Sequence, residues 1–221
     1  MAPQARSEAT RQKILDAAMD LFSEVGYAAA GLGEIIERAG MTKGALYHHF
    51  DSKEALATAI IEQGDNLTRD VFGHVCQYSS PALENLIHGV FVVTDLLVSD
   101  KAARTAEQLT RGLAEFNNAA SHVWPNRLDA MTTQARRAMT EGDLRDGLDP
   151  QVVSESILNA MLGAQLLSSA SAAQDADHIT RLTRSLELLL PAIVAEQSLD
   201  YFRQFLAREP LRHLQADGST K

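Results

Sequence analysis

The chain contains the run Thr42-Lys43-Gly44-Ala45-Leu46-Tyr47-His48-His49-Phe50. At about 100° per residue, a helix over this run divides into two arcs. The first arc holds Lys43, Gly44, Tyr47 and His48, and the second holds Ala45, Leu46, His49 and Phe50. A cation, a phenol, an imidazole and bare backbone on one arc suit the phosphates and base edges of a DNA groove. We therefore predict a short helix that packs its second arc on a small core and presents its first arc to DNA.

A second amphipathic run, residues 32 to 39, comes just before this helix. Its apolar side chains lie on one side of a helix, and they are Leu32, Ile35, Ile36 and Ala39. Gly40 then stands at the C′ position, where a left-handed residue is favoured, and Thr42 stands at the N-cap of the following helix. Helix, glycine turn and helix form the helix-turn-helix pattern, whose second helix enters the major groove of DNA.

Residues 7 to 62 resemble the TetR family of transcriptional repressors. The matching residues are Ala17-Ala18, Leu21-Phe22, Gly26-Tyr27, Ile35, Ala39-Gly40, Thr42-Lys43-Gly44, Leu46-Tyr47, His49-Phe50, Lys53-Glu54 and Leu56. The resemblance implies a three-helix helix-turn-helix DNA-binding domain over residues 1–52 and a larger helical ligand-binding and dimerisation domain over residues 53–221. A helix over residues 53–77, which we expect to begin with a capping box from Asp51 and Glu54, would connect the two domains.

The resemblance and the two arcs together predict seven DNA-contacting residues, which are Thr42, Lys43, Gly44, Tyr47, His48, His49 and Lys53. Lys43, Tyr47 and His48 are the candidates for the groove, whereas Thr42, Gly44 and Lys53 are the candidates for phosphate contacts. For His49, a phosphate contact and a structural hydrogen bond are equal alternatives. The competing interpretation of the whole face is an ordinary solvated helix surface.

The chain departs from the family just before the first helix of the motif. Family members carry Thr or Ser there, whereas this chain has Ala28-Ala29-Ala30-Gly31. Gly31 can still serve as an N-cap, but a hydroxyl contact with a phosphate is lost at this point.

Composition favours an all-α fold. Of the 221 residues 45% are hydrophobic, and only six are proline, while alanine, leucine, glutamate and arginine recur. The net charge of −9 argues against a protein that binds nucleic acid nonspecifically along its length. Residues 1–60 hold six Lys or Arg against eight Asp or Glu. Most of the acidity therefore lies outside the predicted DNA-binding domain.

Cysteine use and apolar runs predict a cytoplasmic protein without a membrane span. Cys76 is the only cysteine, so an intrachain disulfide is impossible. We expect an inert, partly buried thiol, with a redox switch as the less favoured alternative. No run reaches 18 apolar residues, and the N-terminus lacks an apolar signal core.

Trp124 is the only tryptophan, and it marks a candidate ligand pocket. Its ring offers a large flat surface and an N–H donor, although the ordinary alternative is a core aromatic. Its place in the chain, together with the head motif, resembles the γ-butyrolactone receptor subgroup, which implies a small apolar effector, with a butyrolactone as one candidate. The candidate co-lining residues are Val123, Phe91, Leu109, Phe116, Met131 and Leu162.

Two late helices are predicted to form a homodimer. Residues 150–172 and 178–195 are apolar over more than one stripe, so each helix needs a second partner besides its own core. The resemblance implies a four-helix dimer interface from these helices, and a two-fold molecule matches a palindromic operator. Earlier in the same ligand-binding and dimerisation domain we expect helices over 102–114 and 121–141, the second entered through Trp124-Pro125. A loop should follow that ends with Asp149 as N-cap and Pro150 at N1.

We predict a ligand-responsive, sequence-specific repressor that binds double-stranded DNA. The alternative is a helical small-molecule-binding or interaction module that does not bind an operator. An enzyme is not expected, because G-x-S-x-G, P-loop and G-x-G-x-x-G motifs are absent from the sequence. No metal or cofactor is expected, since His74 and Cys76 at i and i+2 face different sides of a helix.

Overall fold

The computed structural model describes residues 3–77, 81–170 and 177–218, and these form ten α-helices. The helices are α1 (Pro3–Val25), α2 (Leu32–Ala39), α3 (Lys43–His49), α4 (Lys53–Cys76), α5 (Ala82–Ser99), α6 (Lys101–Leu113), α7 (Asn118–Thr140), α8 (Pro150–Ala170), α9 (His178–Ile193) and α10 (Leu199–Gly218). Extended pairing within the described ranges is limited to one antiparallel bridge between Leu144 and Val194. The all-α prediction is confirmed.

The described residues form two compact units. The first lies within Met1–Leu67 and Leu97–Val123, and the second lies within Thr68–Leu96 and Trp124–Lys221. The unit that contains the helix-turn-helix therefore also contains α6, which the sequence assigned to the other domain. The predicted domain boundary between residues 52 and 53 stays a prediction. The two compact units of the structure are divided at other positions in the chain.

The core of the first unit is built by residues with helical 3–4 spacing. Ile14, Leu15 and Ala18 of α1 are completely buried. The next three helices contribute further fully buried residues to the same unit, which are Ile35, Leu46, Leu56 and Ile60. A small unit of this kind is stabilised chiefly by removing these apolar side chains from water. The motif helices therefore rest on a shared core.

Polar contacts tie α1 to its neighbours within the first unit. The guanidinium of Arg38 donates to both carboxylate oxygens of Glu24 at 2.5 and 2.7 Å, which joins α2 to the end of α1. This hydrogen bond is the main cause that lowers the pKa of the Glu24 carboxyl. Asp20 on α1 pairs with Lys101 on α6 at 2.5 Å.

Two helix starts differ from the prediction. The N-cap of α4 is Ser52, whose hydroxyl oxygen accepts from the amide of Ala55 at 3.0 Å, so the predicted cap at Asp51 is wrong by one residue. Helix α7 begins at Asn118 rather than near residue 121, and Pro125 lies inside it. Asn117 starts α7 because its side-chain oxygen accepts from the amide of Ala120 at 3.0 Å. Because Pro125 has no backbone N–H, it cannot donate to the carbonyl of Ser121, and α7 continues through it without that hydrogen bond.

Helices α8, α9 and α10 make up much of the second unit. Asp149 caps α8 as predicted, because its carboxylate accepts from the amide of Gln151 at 2.8 Å and Pro150 opens the helix. The loop before α8 pairs with the end of α9, where the amide of Arg145 donates to the carbonyl of Ile193 at 2.9 Å. This long-range pairing was not predicted.

Among the described residues, α5 is the one helix whose length and composition would suit a membrane span. The structure buries 61% of that span inside the protein. Leu83, Leu86 and Phe91 are completely buried, as expected of a core helix.

Candidate nucleic-acid interface

The turn between α2 and α3 has the geometry that the glycine predicted. Gly40 adopts φ +63 and ψ 34, which is the left-handed region. Its amide donates to the carbonyl of Glu37 at 3.0 Å, and the amide of Met41 donates to the carbonyl of Ile36 at 3.1 Å. This pair of bonds satisfies the last carbonyls of α2 and reverses the chain direction. Helix α3 therefore starts from a defined position.

Helix α3 has one packed side and one exposed side. Leu46 is completely buried and Phe50, at the C-cap, is 5% exposed. Lys43, Gly44 and His48 are exposed, and Tyr47 is 45% exposed although aromatic residues favour burial. The two arcs follow the predicted division, with Ala45 and His49 half-buried between them.

Thr42 caps α3 through its side chain. Its hydroxyl oxygen accepts from the amide of Ala45 at 3.2 Å. The Nζ atom of Lys43 lies 5.8 Å from the centroid of the Tyr47 ring, close enough for a cation–π contact. Lys43 and Tyr47 therefore form one exposed pair that combines a positive charge with a flat, amphipathic ring. Such a pair can meet a phosphate and a base edge together.

The two histidines contact each other by their edges. The rings of His48 and His49 are 5.1 Å apart at 76°, and the ring of His49 lies 6.5 Å from that of Phe50. His48 is the exposed member of the pair. His49 lies between the exposed and packed sides, and both of its predicted alternatives stay open.

Lys53 is placed differently from the other predicted DNA contacts. Its ammonium group donates to the carbonyls of Tyr27, Ala28 and Ala30 at 2.8, 3.2 and 2.9 Å. An ammonium has three N–H donors, so these bonds engage all of them. The phosphate contact predicted for Lys53 stays a prediction, and it would require at least one of these bonds to be exchanged.

Gly31 is the N-cap of α2, in agreement with the sequence. Its backbone is extended, with φ −97 and ψ 143, and its amide donates to the Glu34 carboxylate at 3.0 Å. Ala30 is buried, at 2% exposure. The residues that replace the family's hydroxyl therefore keep the helix start but offer no side-chain donor there.

One cation close to α3 was not predicted. The guanidinium carbon of Arg11 lies 5.3 Å from the centroid of the Phe50 ring. Arg11 stands three and four residues before the buried Ile14 and Leu15, a spacing that places it on the same face of α1. This spacing is the sequence signal from which the position of Arg11 could have been predicted.

The predicted ligand-pocket residues are divided between the two units. Val123, Leu109 and Phe116 belong to the first unit, whereas Trp124, Phe91, Met131 and Leu162 belong to the second. Val123, Leu109, Phe91 and Met131 are buried and Leu162 is half-buried. Phe116 is 79% exposed, so it faces solvent.

The indole N–H of Trp124 has an unusual environment. Its Nε1 atom is buried and has no hydrogen-bond partner among the described residues. A buried donor without an acceptor is destabilising, and native structures satisfy almost all such groups. A ligand oxygen is one acceptor that could complete it.

A cleft of about 340 Å³ lies in the first unit, between the end of α1 and α6. Phe22, Tyr27, Thr105 and Leu109 are among the residues that line it. Leu109 is shared with the predicted pocket set, and Trp124 does not belong to this wall.

A helix-turn-helix on a shared core, with a cation and an aromatic ring exposed on its second helix, defines a DNA-binding transcriptional regulator. The family model described as bacterial regulatory proteins of the TetR family matches residues 14–60. The A-factor receptor protein of Streptomyces griseus is 32% identical over 193 residues, which cover 87% of this chain and 67% of that protein. The chain belongs to the TetR family.

Further relatives agree with this assignment. The transcriptional regulator UidR of Escherichia coli (strain K12) is 36% identical over 101 residues, which cover 43% of this chain and 52% of that protein. These relatives are regulators and a receptor, so the chain is not an enzyme, as predicted.

Solved structures extend the likeness over nearly the whole chain. A γ-butyrolactone receptor described as ArpA-like superimposes with a TM-score of 0.79 at 27% identity, covering 94% of this chain and 99% of that one. CprB from Streptomyces coelicolor, solved in complex with its operator sequence, gives 0.73 at 27% identity, covering 92% and 97%. The predicted resemblance to the γ-butyrolactone receptor subgroup is confirmed.

Proposed function

We propose that this protein is a ligand-responsive repressor that binds a palindromic operator as a homodimer and is released by a small apolar effector. The observation that carries the proposal is the exposed face of α3, where Lys43 and Tyr47 project while Leu46 is completely buried. Each protomer would insert residues 43–49 into one major groove, with Thr42, Gly44, His48 and His49 also at the interface. A cytoplasmic location follows from this role.

The proposed effector site centres on Trp124. Its buried indole N–H, which lacks a partner within the described part of the chain, would donate to an oxygen of the ligand. Phe91 and Met131, buried in the same unit, would contribute apolar surface, as would Leu162. A butyrolactone with an alkyl chain fits these requirements, since it combines a carbonyl oxygen with an apolar tail.

The proposed dimer forms through α8 and α9. Three large apolar side chains on these helices, Leu166, Leu167 and Leu188, are exposed. Exposed leucines on adjacent helices of one unit are typical of a surface that a partner covers. A two-fold pairing would present two copies of α3 to two operator half-sites.

Effector release is a population shift. The protein exchanges between a conformation that fits the operator and one that does not. The effector releases the protein from DNA if it binds the second conformation more tightly than the first. A 100-fold difference in affinity between the conformations corresponds to about 2.7 kcal/mol.

The test begins with selection of bound fragments from host genomic DNA by the purified full chain, followed by affinity measurements on the enriched sequence. We expect a palindrome whose binding is weakened about 100-fold by the double variant Lys43→Ala with Tyr47→Ala, because phosphate and base contacts are both lost. A butyrolactone with an alkyl chain should quench Trp124 fluorescence and weaken operator binding.

The control variant is Arg203→Ala on α10, which changes an exposed cation outside the helix-turn-helix unit. It should leave operator affinity unchanged. If no sequence is enriched, or if the double variant binds as well as the wild type, the chain is a helical binding module instead of a repressor.

A further inference from the structure

The geometry points to Lys53 as a positioning residue for the helix-turn-helix, acting through the loop before α2 rather than through a DNA phosphate. This inference rests on the proposed function and assigns a mechanism within it. Lys53 is the first residue of α4, and the loop it binds leads directly into α2.

Three carbonyls of the loop converge on one ammonium group. Lys53 Nζ lies 2.8 Å from the oxygen of Tyr27, 2.9 Å from that of Ala30 and 3.2 Å from that of Ala28. Hydrogen bonds from a charged donor are stronger than neutral ones, and the bonds to Tyr27 and Ala30 are partly shielded from water. The convergence resembles the coordination of a small cation by backbone oxygens, so it holds the loop in one shape.

The four residues before α2 depend on such a contact because their own side chains offer none. Ala28, Ala29, Ala30 and Gly31 carry no polar side-chain atom. The carboxylate of Glu34 binds the Gly31 amide, which holds the first turn of α2 but not the carbonyls before it. Lys53 supplies the missing link from a different helix.

The Tyr27 ring extends the link to α1. Lys53 Nζ lies 4.6 Å from the centroid of that ring, and the ring meets Phe22 edge-on at 5.3 Å. Phe22 is a buried residue of α1. A continuous set of contacts therefore runs from the start of α4 through the loop to the core that supports α2 and α3.

A positioning role and a phosphate role predict different salt dependence. Each lysine that neutralises a phosphate contributes about 0.9 to the slope of log affinity against log salt, so its loss from both protomers lowers the slope by about 1.8. A lysine that only holds the loop contributes to affinity but not to this slope. Arginine separates the roles further, because its planar fork suits a phosphate but not three carbonyls that converge on one point.

The experiment compares operator binding by Lys53→Met, Lys53→Arg and the control Lys43→Met over a range of salt concentrations. We expect both Lys53 variants to bind about tenfold more weakly with the wild-type slope, since only the loop geometry is lost. Lys43→Met should lower the slope by about 1.8, because it removes an exposed cation of α3. A reduced slope for Lys53→Met, or full affinity for Lys53→Arg, would overturn the inference.

Hydrogen exchange on the DNA-free protein tests the same contact without the operator. The amide of Ala30 donates to the Gly26 carbonyl and that of Ile35 donates to the Gly31 carbonyl, both at 3.2 Å. Both amides should exchange about tenfold faster in Lys53→Met, while the Phe50 amide should keep its rate. Unchanged exchange at Ala30 and Ile35 would refute the loop contact. A protein that binds no operator but shows this change would refute the proposed function alone.

Discussion

The position of a residue on α3 determines whether its side chain packs in the core or is exposed for the proposed DNA contact. Leu46 and Phe50 are buried, whereas Lys43 and Tyr47 are exposed one turn apart and contact each other. Because the two sets lie on opposite sides of a helix of only seven residues, exchanging an exposed side chain should leave the fold intact. This separation makes the DNA-binding variants interpretable.

Cys76 illustrates how burial sets the chemistry of a single side chain. Removal from water disfavours the thiolate and raises the pKa of the Cys76 thiol to about 11, which a charge on Arg137 only partly offsets. The predicted inert, half-buried thiol agrees with this environment.

We predict that native Cys76 reacts about 100-fold more slowly with iodoacetamide at pH 7.5 than the unfolded chain does, because its thiolate fraction falls tenfold per pKa unit. The folded pKa is raised, so the folded state retains the proton, and thiolate appears only as the pH approaches 11. Alkylation rates measured from pH 7 to 11, with a denatured sample as control, check this. A native rate that levels off near pH 8.5 would contradict it.

At the scale of helices, glycine has opposite roles at two places on α4. A Cβ on Gly64 would lie 2.3 Å from the Cβ of Ala106 and 3.1 Å from the Ala102 carbonyl oxygen, so α4 and α6 meet closely there. A Cβ on Gly73 would have nothing within 4 Å. The same residue type is required by packing at the first position and not at the second.

Gly64→Ala should lower the free energy of unfolding by about 1–3 kcal/mol, because the two helices must move apart. Gly73→Ala is the matched control, and it should raise that free energy by about 0.5–1 kcal/mol through helix propensity. Urea unfolding followed by circular dichroism measures both. Equal effects of the two substitutions would mean that α4 and α6 are not in this close contact.

At the scale of the whole molecule, the proposed homodimer explains the apolar surface of α8 and α9. Leu188 on α9 is 82% exposed, and Leu166 and Leu167 on α8 are exposed as well. Leaving three leucines in water has no benefit for a lone chain, whereas covering them stabilises a pair of chains.

Leu188→Glu should weaken dimer association at least 100-fold, because it places an unpaired charge in an apolar interface. Sedimentation equilibrium would then show a monomer at concentrations where the wild type is a dimer. Leu211→Glu serves as the control, since Leu211 is an exposed leucine of α10, outside the proposed interface, and its variant should remain dimeric. A dimeric Leu188→Glu variant would place the interface elsewhere.

Local patterns were sufficient for much of this protein. Helical periodicity, the left-handed turn at Gly40 and the cap at Asp149 depend on residues within a few positions of one another, and all three were predicted correctly. The division of α3 into two arcs has the same local origin. The cap of α4 was missed by one residue because Asp51 and Ser52 are both good N-caps, and the local pattern does not rank them.

Contacts between distant segments required the folded chain. Lys53 meets carbonyls 23 to 26 residues earlier, Arg145 pairs with Ile193, and α6 joins the unit of the helix-turn-helix. Backbone carbonyls are alike at every residue, so no sequence motif marks which three will meet a given lysine. Periodicity shows which side of a helix is apolar, but only packing in three dimensions selects the partner for that side.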